Sequence, residues 1–273
     1  MENRTKKFSQ ESIHRIKGNY LLDTSLLSRS QVNSGLNGLI ANQRERERLF
    51  YDIVHTDNIE VKEHGLRKLR EIIISVFESQ KNNSAFIDLV KSCYQLTYEI
   101  FLEEQKYVQI GGIVFPFLIN NMPELAYTMG FVELYILYLS HWELNLFKSI
   151  DILKQCKTLL SKQQYQYLLR MVLIFSQDIE PPNMWFQLLK FYNSNKLIMD
   201  FLNKTKIVQK VQFRCLDMCQ RSYNQLSFDV FKQTWLQHVP LDATVETKAR
   251  KRYLFEKLSN DSEMIYFKKR PVS

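Results

Sequence analysis

The sequence predicts an all-α protein of antiparallel helical hairpins stacked as a solenoid, with a small C-terminal module that ends in a β-hairpin. Three observations predict it. Only 7 of the 273 residues are glycine and none follows Gly130, where an average protein carries roughly 7%. Glycine supplies the positive-φ turns and phosphate-cradling loops of most nucleotide-binding folds, so the second half of the chain is short of the means to build them. Apolar residues recur at three- and four-residue spacing in one segment after another. The breaks between those segments are only a few residues long, which favours antiparallel neighbours.

Residues 1–43 are rich in Ser, Asn, Gln and basic side chains, with the apolar pairs Leu21-Leu22 and Leu26-Leu27 and no sustained period. They are expected to form an extended or disordered basic arm, the leucine pairs being its candidate anchors on a partner. Residues 44–203 are expected to form a helical-repeat domain. Arg44-Glu-Arg-Glu-Arg48 followed by Leu49, Phe50, Ile53 and Val54 predicts a helix with a charged first turn. Asp57-Asn-Ile-Glu60 resembles a capping box that opens a long helix carrying Leu66, Leu69, Ile73, Val76 and Phe77. Ser84 is the expected cap of the next helix, which carries Phe86, Leu89, Val90, Cys93, Leu96, Tyr98 and Phe101. Pro116 predicts a kink or break within 108–119, and Pro123 suits the first residue of a helix running toward Ser140. Ser140-His-Trp-Glu143 and Ser161-Lys-Gln-Gln164 read as two further capping boxes, and Pro181-Pro182 ends one segment and leads into 184–191. The greasy stretch 131–147 is interrupted by Glu133, His141, Glu143 and Asn145. It falls short of the roughly 18 uninterrupted apolar residues of a membrane span and reads as a buried helical pair.

Residues 204–273 differ. A helix over 207–223, a short helix over 227–236 and a third helical piece from about Thr244 precede a β-prone run, 263–269. The turn-forming Ser259-Asn-Asp-Ser262 lets 253–258 pair with that run as a hairpin. Helices followed by a two-stranded wing describe a winged-helix-like module.

The net charge of +8 is uneven: nine basic and five acidic residues give +4 over 1–48, the middle is acidic, and fourteen basic against seven acidic give +7 over 204–273. Basic ends attract nucleic acid, acidic tails such as those of tubulin, or another acidic partner. On the helix from residue 207, Lys206, Lys210, Arg214 and Arg221 step by four and seven, opposite Val208, Val211, Cys215 and Cys219. With Lys248, Arg250, Lys251 and Arg252, and with Lys268, Lys269 and Arg270 on the wing, they make up the candidate basic interaction face. Trp185 and Trp235 are candidate partner anchors if they are exposed.

Catalytic arrangements are not legible. The sequence holds no phosphate-loop, dinucleotide-binding, nucleophile-elbow or His-Glu-x-x-His motif, and Gly111-Gly112 is a lone pair amid apolar residues. The five histidines are scattered singly, as surface or satisfied structural groups. Cys93, Cys156, Cys215 and Cys219 read as thiols in a reducing compartment, and no second pair completes a metal set around Cys215 and Cys219. No catalytic residue, cofactor or metal is therefore assigned. The amino terminus lacks the apolar core of a secretory signal, so an intracellular location is expected, cytoplasm or cytoskeleton ahead of nucleus.

The runs Phe131-Val-Glu-Leu-Tyr-Ile-Leu-Tyr-Leu-Ser140, Val211-Gln-Phe-Arg-Cys-Leu-Asp-Met-Cys-Gln-Arg-Ser-Tyr-Asn-Gln-Leu-Ser227 and Ile265-Tyr-Phe-Lys-Lys269, with this order of elements, carry a resemblance. Over about residues 60–270 the chain resembles the PCI-type subunits of the proteasome lid, the signalosome, a translation initiation factor and mRNA-export complexes. The resemblance implies an armadillo/TPR-like solenoid with a winged-helix end, acting as a scaffold whose winged-helix edges join neighbouring subunits or touch nucleic acid. The expected function is a non-catalytic scaffold or adaptor subunit of a larger assembly. The alternatives are a nucleic-acid-binding adaptor in RNA export or processing and a cytoskeletal or axonemal component.

Overall fold

The computed structural model describes residues 39–177, 179–258 and 262–268. Over these the chain is mostly helical, with one small three-stranded sheet. It divides into two compact units, one ending at Ile110 and the other beginning at Gly111, so residues 204–273 belong to the second.

The first unit packs α1 (Gln43–His55), α2 (Ile59–Gln80) and α3 (Ser84–Glu103) around one core. Asparagine starts each of them. The side chain of Asn42 accepts from the Arg44 N–H, Asn58 from Glu60 and Val61, and Asn83 from Ala85. Each satisfies N–H groups that a helix start leaves without partners. The cap therefore falls on Asn83, one residue before the expected Ser84, and on Asn58 in place of Asp57. The charged first turn of α1 is not all solvated, because Arg46 is buried. Its guanidinium donates to the carbonyls of Leu39 and Ile40 at 3.0 and 2.8 Å and to Gln43 Oε1 at 2.8 Å, closing the helical end at 39–41. Between α2 and α3, buried Arg70 donates to Thr97 Oγ1 at 2.9 Å and lies over the Phe101 ring. The Lys106 ammonium pairs with Glu63 and ties the end of α3 to α2.

The second unit departs more from the expected elements. A π-helical turn, Ile110–Val114, leads into α4 (Phe115–Asn121), and Pro116 lies in the first turn of α4 without breaking the chain. Pro123 does open a helix, but this helix, α5 (Pro123–Thr128), stops before Gly130, whose φ of +75° starts α6 (Phe131–Leu137). The single helix expected from Pro123 toward Ser140 is thus two. A π-helical turn, Tyr138–Trp142, follows, then α7 (Leu146–Gln155). Ser140 caps nothing: it is buried in the π turn and donates to the Ile136 carbonyl at 2.9 Å, while Asn145 caps α7 by accepting from the Lys148 N–H. The other box forms as expected at the head of α8 (Lys162–Gln177): Ser161 N–H donates to Gln164 Oε1 at 2.9 Å and Gln164 N–H to Ser161 Oγ at 3.2 Å. Next come α9 (Asn183–Leu189) with a 3₁₀ turn, Lys190–Tyr192, and α10 (Lys196–Lys204), capped by Asn195. The core of this unit is aromatic, with Phe115, Phe131, Tyr135, Tyr138 and Phe201 in tilted, edge-on and stacked contact.

From Ile207 the order of elements is α11 (Ile207–Ser222), β1 (Gln225–Ser227), a short helix α12 (Phe228–Val230) running into a π turn (Phe231–Trp235), α13 (Ala243–Arg252), β2 (Leu254–Lys257) and β3 (Glu263–Tyr266). The expected hairpin is present, with Phe255 opposite Ile265. β1 was not expected; it pairs antiparallel to the other side of β3, Leu226 opposite Ile265, so the strand order is β1-β3-β2. The inward Ile265 is fully buried and Phe228 packs edge-on against Phe255, which seats the sheet on the helices.

Candidate basic interface

Two latches hold α11 against α13. Asp242, the cap of α13, accepts from the N–H groups of Thr244 and Val245 and from Gln209 Nε2 of α11 at 2.9 Å. Burial raises its carboxyl pKa, but these hydrogen bonds outweigh it and hold the group below its ordinary value. One turn on, Gln212 Oε1 accepts from the Asp242 N–H and its Nε2 donates to the Pro240 carbonyl. The outer surfaces of α11 and α13 therefore keep fixed positions relative to each other.

The cations expected to share this face separate into two groups. Arg250 forks onto Glu263 at 2.7 and 2.9 Å, donates to Glu246, and has its guanidinium 4.5 Å from the Phe255 ring centroid. Hydrogen bonds to Glu263 and Glu246 raise its pKa further, and Glu263 is correspondingly lowered. Arg252 donates to Asp217 at 2.8 Å and to Gln220 at 2.6 Å, joining α13 to α11. Arg214 leaves the face altogether. It is half-buried and donates to the carbonyls of Ile174 and Phe175, both at 3.0 Å, closing the C-terminal end of α8, with its guanidinium over the Phe175 ring. Helical spacing placed Arg214 beside Lys210, but a long side chain on a helix flank finds unsatisfied carbonyls and turns inward.

The second group is exposed and has no carboxylate at ion-pair distance among the described residues: Lys206, Lys210, Arg221, Lys248, Lys251 and Lys268. Lys232 and Lys257, which sequence reasoning missed, belong with them, and both lie near enough to Glu263 to lower its pKa. Their signal was a position of the expected hairpin strand, two residues after Phe255, and the turn after Phe228. Three of the exposed lysines sit on aromatic rings, Lys248 at 5.2 Å from the Phe213 centroid, Lys232 at 4.0 Å from Phe228 and Lys210 at 5.8 Å from Trp142. The acids are mostly engaged, so the exposed charge is positive. Lys269 and Arg270, like the arm anchors Leu21, Leu22, Leu26 and Leu27, lie outside the described residues.

Neither tryptophan is a free anchor. Trp185 is fully buried and Trp235 nearly so. Trp185 instead belongs to a buried polar chain with His141 and Ser140. The indole N–H donates to His141 Nε2 at 2.9 Å, so the neutral ring carries its proton on Nδ1, which lies 2.6 Å from Ser140 Oγ. Burial, and then the Arg214 charge, lower the His141 pKa to about 3. A ring whose acceptor nitrogen is already occupied and whose pKa is that low does not take a proton from a serine, so this pair is packing and not a nucleophile with its base.

The four cysteines are all buried, and burial pushes the Cys93 thiol up to about 12 and those of Cys156, Cys215 and Cys219 above their ordinary value. Cys215 donates to the Trp235 carbonyl. Among the described residues no three His, Cys, Asp or Glu side chains gather at metal-binding distance, and no helix is long and apolar enough to cross a membrane. Compared with family models, curated proteins and solved structures, the chain matches none.

Proposed function

We propose that the protein is a non-catalytic adaptor subunit, a run of helical hairpins ending in a winged-helix-like module that joins other proteins in a larger assembly. The observation that carries this reading is the order helix, strand, helix, helix, strand, strand from Ile207, with β3 central between β1 and β2. That order is the one a winged helix requires, with α13 in the place of its third helix and the paired strands β2 and β3 in that of its wing. The PCI-type resemblance, which rests on residue runs and layout, agrees with it. Affinity purification of the tagged full chain, compared with chains lacking 1–43 or 244–273, tests the reading. Stable partners that are lost with either truncation support it, and a full chain that recovers no stoichiometric partner removes it.

A second reading, a nucleic-acid-binding adaptor, is favoured by one observation: among the described residues the exposed lysines of α11, α13 and the wing have no carboxylate at ion-pair distance. Lysine is a point charge suited to phosphate contacts without sequence readout. Each phosphate neutralised adds about 0.7–0.9 to the slope of log affinity against log salt. Binding to single-stranded RNA that weakens steeply with salt, and less steeply after Lys248→Gln and Lys251→Gln, would establish this reading. Salt-insensitive or absent binding would dismiss it.

A further inference from the structure

The junction between the π turn and α7 exposes two large apolar side chains on a backbone that does not move freely. Glu143 N–H donates to the Tyr138 carbonyl at 3.0 Å and Asn145 N–H to the Leu139 carbonyl at 2.8 Å, which pins both sides of Leu144. Leu144 is thereby held at φ +57°, a left-handed conformation that glycine adopts freely and a leucine only with strain. In return it gains little packing, because it is 68% exposed. Phe147, in the first turn of α7 that Asn145 caps, is 82% exposed. The same two bonds end the π turn, as a left-handed residue just past a helix end commonly does, so Leu144 presents its side chain to solvent from a fixed backbone. Basic side chains stand on α7 and at the head of α11. Lys148 follows Phe147, the Lys210 ammonium stands 5.8 Å from the Trp142 ring centroid, and Lys206 lies one turn before Lys210. None of the three has a carboxylate at ion-pair distance among the described residues. Of the acids nearby, Glu143 is drawn to the Tyr138 hydroxyl and Asp151 is exposed on α7.

We propose that Leu144 and Phe147 are a preformed docking pair for an acidic amphipathic helix of a partner protein, which lays its apolar stripe on them and its carboxylates on Lys148, Lys206 and Lys210. The proposal rests on the adaptor reading and names the surface it uses. A protein partner suits the geometry better than a bilayer. Two side chains bury too little to hold a chain on a membrane, where a whole apolar helix face is the usual anchor. Two rigid anchors ringed by charge are enough for the centre of a protein interface.

The test is selection from a displayed library of helical peptides on the full chain, followed by affinity measurements on Leu144→Gly and Phe147→Ser. Enriched peptides are expected to be acidic and amphipathic, and each variant to weaken them at least about tenfold. Leu144→Gly melts at the same or a higher temperature, because glycine fits the left-handed position, so its loss of binding is not unfolding. Phe147→Ser removes an exposed ring and provides a second variant. The proposal is overturned if the peptides show no acidic bias, if they bind both variants as tightly as the parent, or if phosphatidylserine vesicles bind the parent while the peptides do not. Cellular partners that purify equally with the parent and both variants also overturn it, yet leave the adaptor reading standing.

Discussion

Trp185 of α9 donates its indole N–H to Nε2 of His141, 44 residues earlier in the chain, at 2.9 Å. The bond fixes the π turn Tyr138–Trp142 to α9 through a ring that also stacks on Phe175 at 4.0 Å. Trp185→Phe keeps most of the apolar volume and removes only the donor. It is expected to lower stability by about 1–3 kcal/mol, the cost of a buried acceptor without a partner, read from the midpoint of urea unfolding.

The same ring makes stability depend on pH. His141 is neutral in the fold with a pKa of about 3, against about 6.5 in the unfolded chain. The folded value is the lower one, so the contribution is complete above pH ~6.5 and is lost as pH falls toward the folded value, at up to about 1.4 kcal/mol per unit. The groups that act on the ring are Arg214 and Lys210, both of which lower its pKa, and Leu137, whose carbonyl raises it. Equilibrium unfolding between pH 7 and 4 should show this slope, and His141→Gln should remove it.

Glu133 works in the opposite direction. It is buried on α6, accepting from Gln164 Nε2 at 3.3 Å through Oε1, while Oε2 has no hydrogen-bond partner among the described residues. Burial raises its pKa, and burial followed by the Glu133 charge raises those of the Tyr192 hydroxyl and the Cys156 thiol. A carboxyl raised in the fold contributes fully below its unfolded pKa and loses that contribution as pH rises through the folded one. Glu133→Gln should therefore stabilise the protein at pH 7 by on the order of 1 kcal/mol, with the gain disappearing near pH 4 in thermal melts.

Adjacent glycines in one π turn should respond differently to the same change. A Cβ on Gly111 would lie 2.2 Å from the Tyr138 ring, whereas one on Gly112 would meet nothing within 4 Å. Gly111→Ala is expected to cost about 1–3 kcal/mol through overpacking, and Gly112→Ala to be neutral or slightly stabilising in the same calorimetric measurement.

Arg214 and its neighbour Lys210 separate folding from binding. Arg214→Met leaves the Ile174 and Phe175 carbonyls without their donor and should lower stability by about 1.5–3 kcal/mol. Lys210→Gln should leave the melting temperature unchanged and alter only the capture of anionic partners, measured side by side at two salt concentrations.

Helix existence was legible where apolar spacing ran unbroken, as in α2, α3 and α11, because one buried face fixes a helix whatever surrounds it. The starts were misread for a physical reason. This chain caps with Asn42, Asn58, Asn83, Asn145 and Asn195, and asparagine caps as well as serine. Choosing Ser84 and Ser140 missed the adjacent or nearby amide. The π turns were invisible, since they depend on long-range packing such as His141 against Trp185. β1, a single short strand, carried no period of its own. Within the candidate interface, charge and spacing identified the cations but not their direction, and the inward turn of Arg214 depends on carbonyls at the end of α8 that are about 40 residues away.

The central place of β3 sets an order of assembly. It comes last of the three strands in the chain, yet among the described residues β1 and β2 pair with it and not with each other. Neither outer strand has a ladder until residues 263–266 are in place, so the sheet closes in a single event, and a chain truncated before them leaves two unsatisfied ribbons, a natural substrate for a holdase.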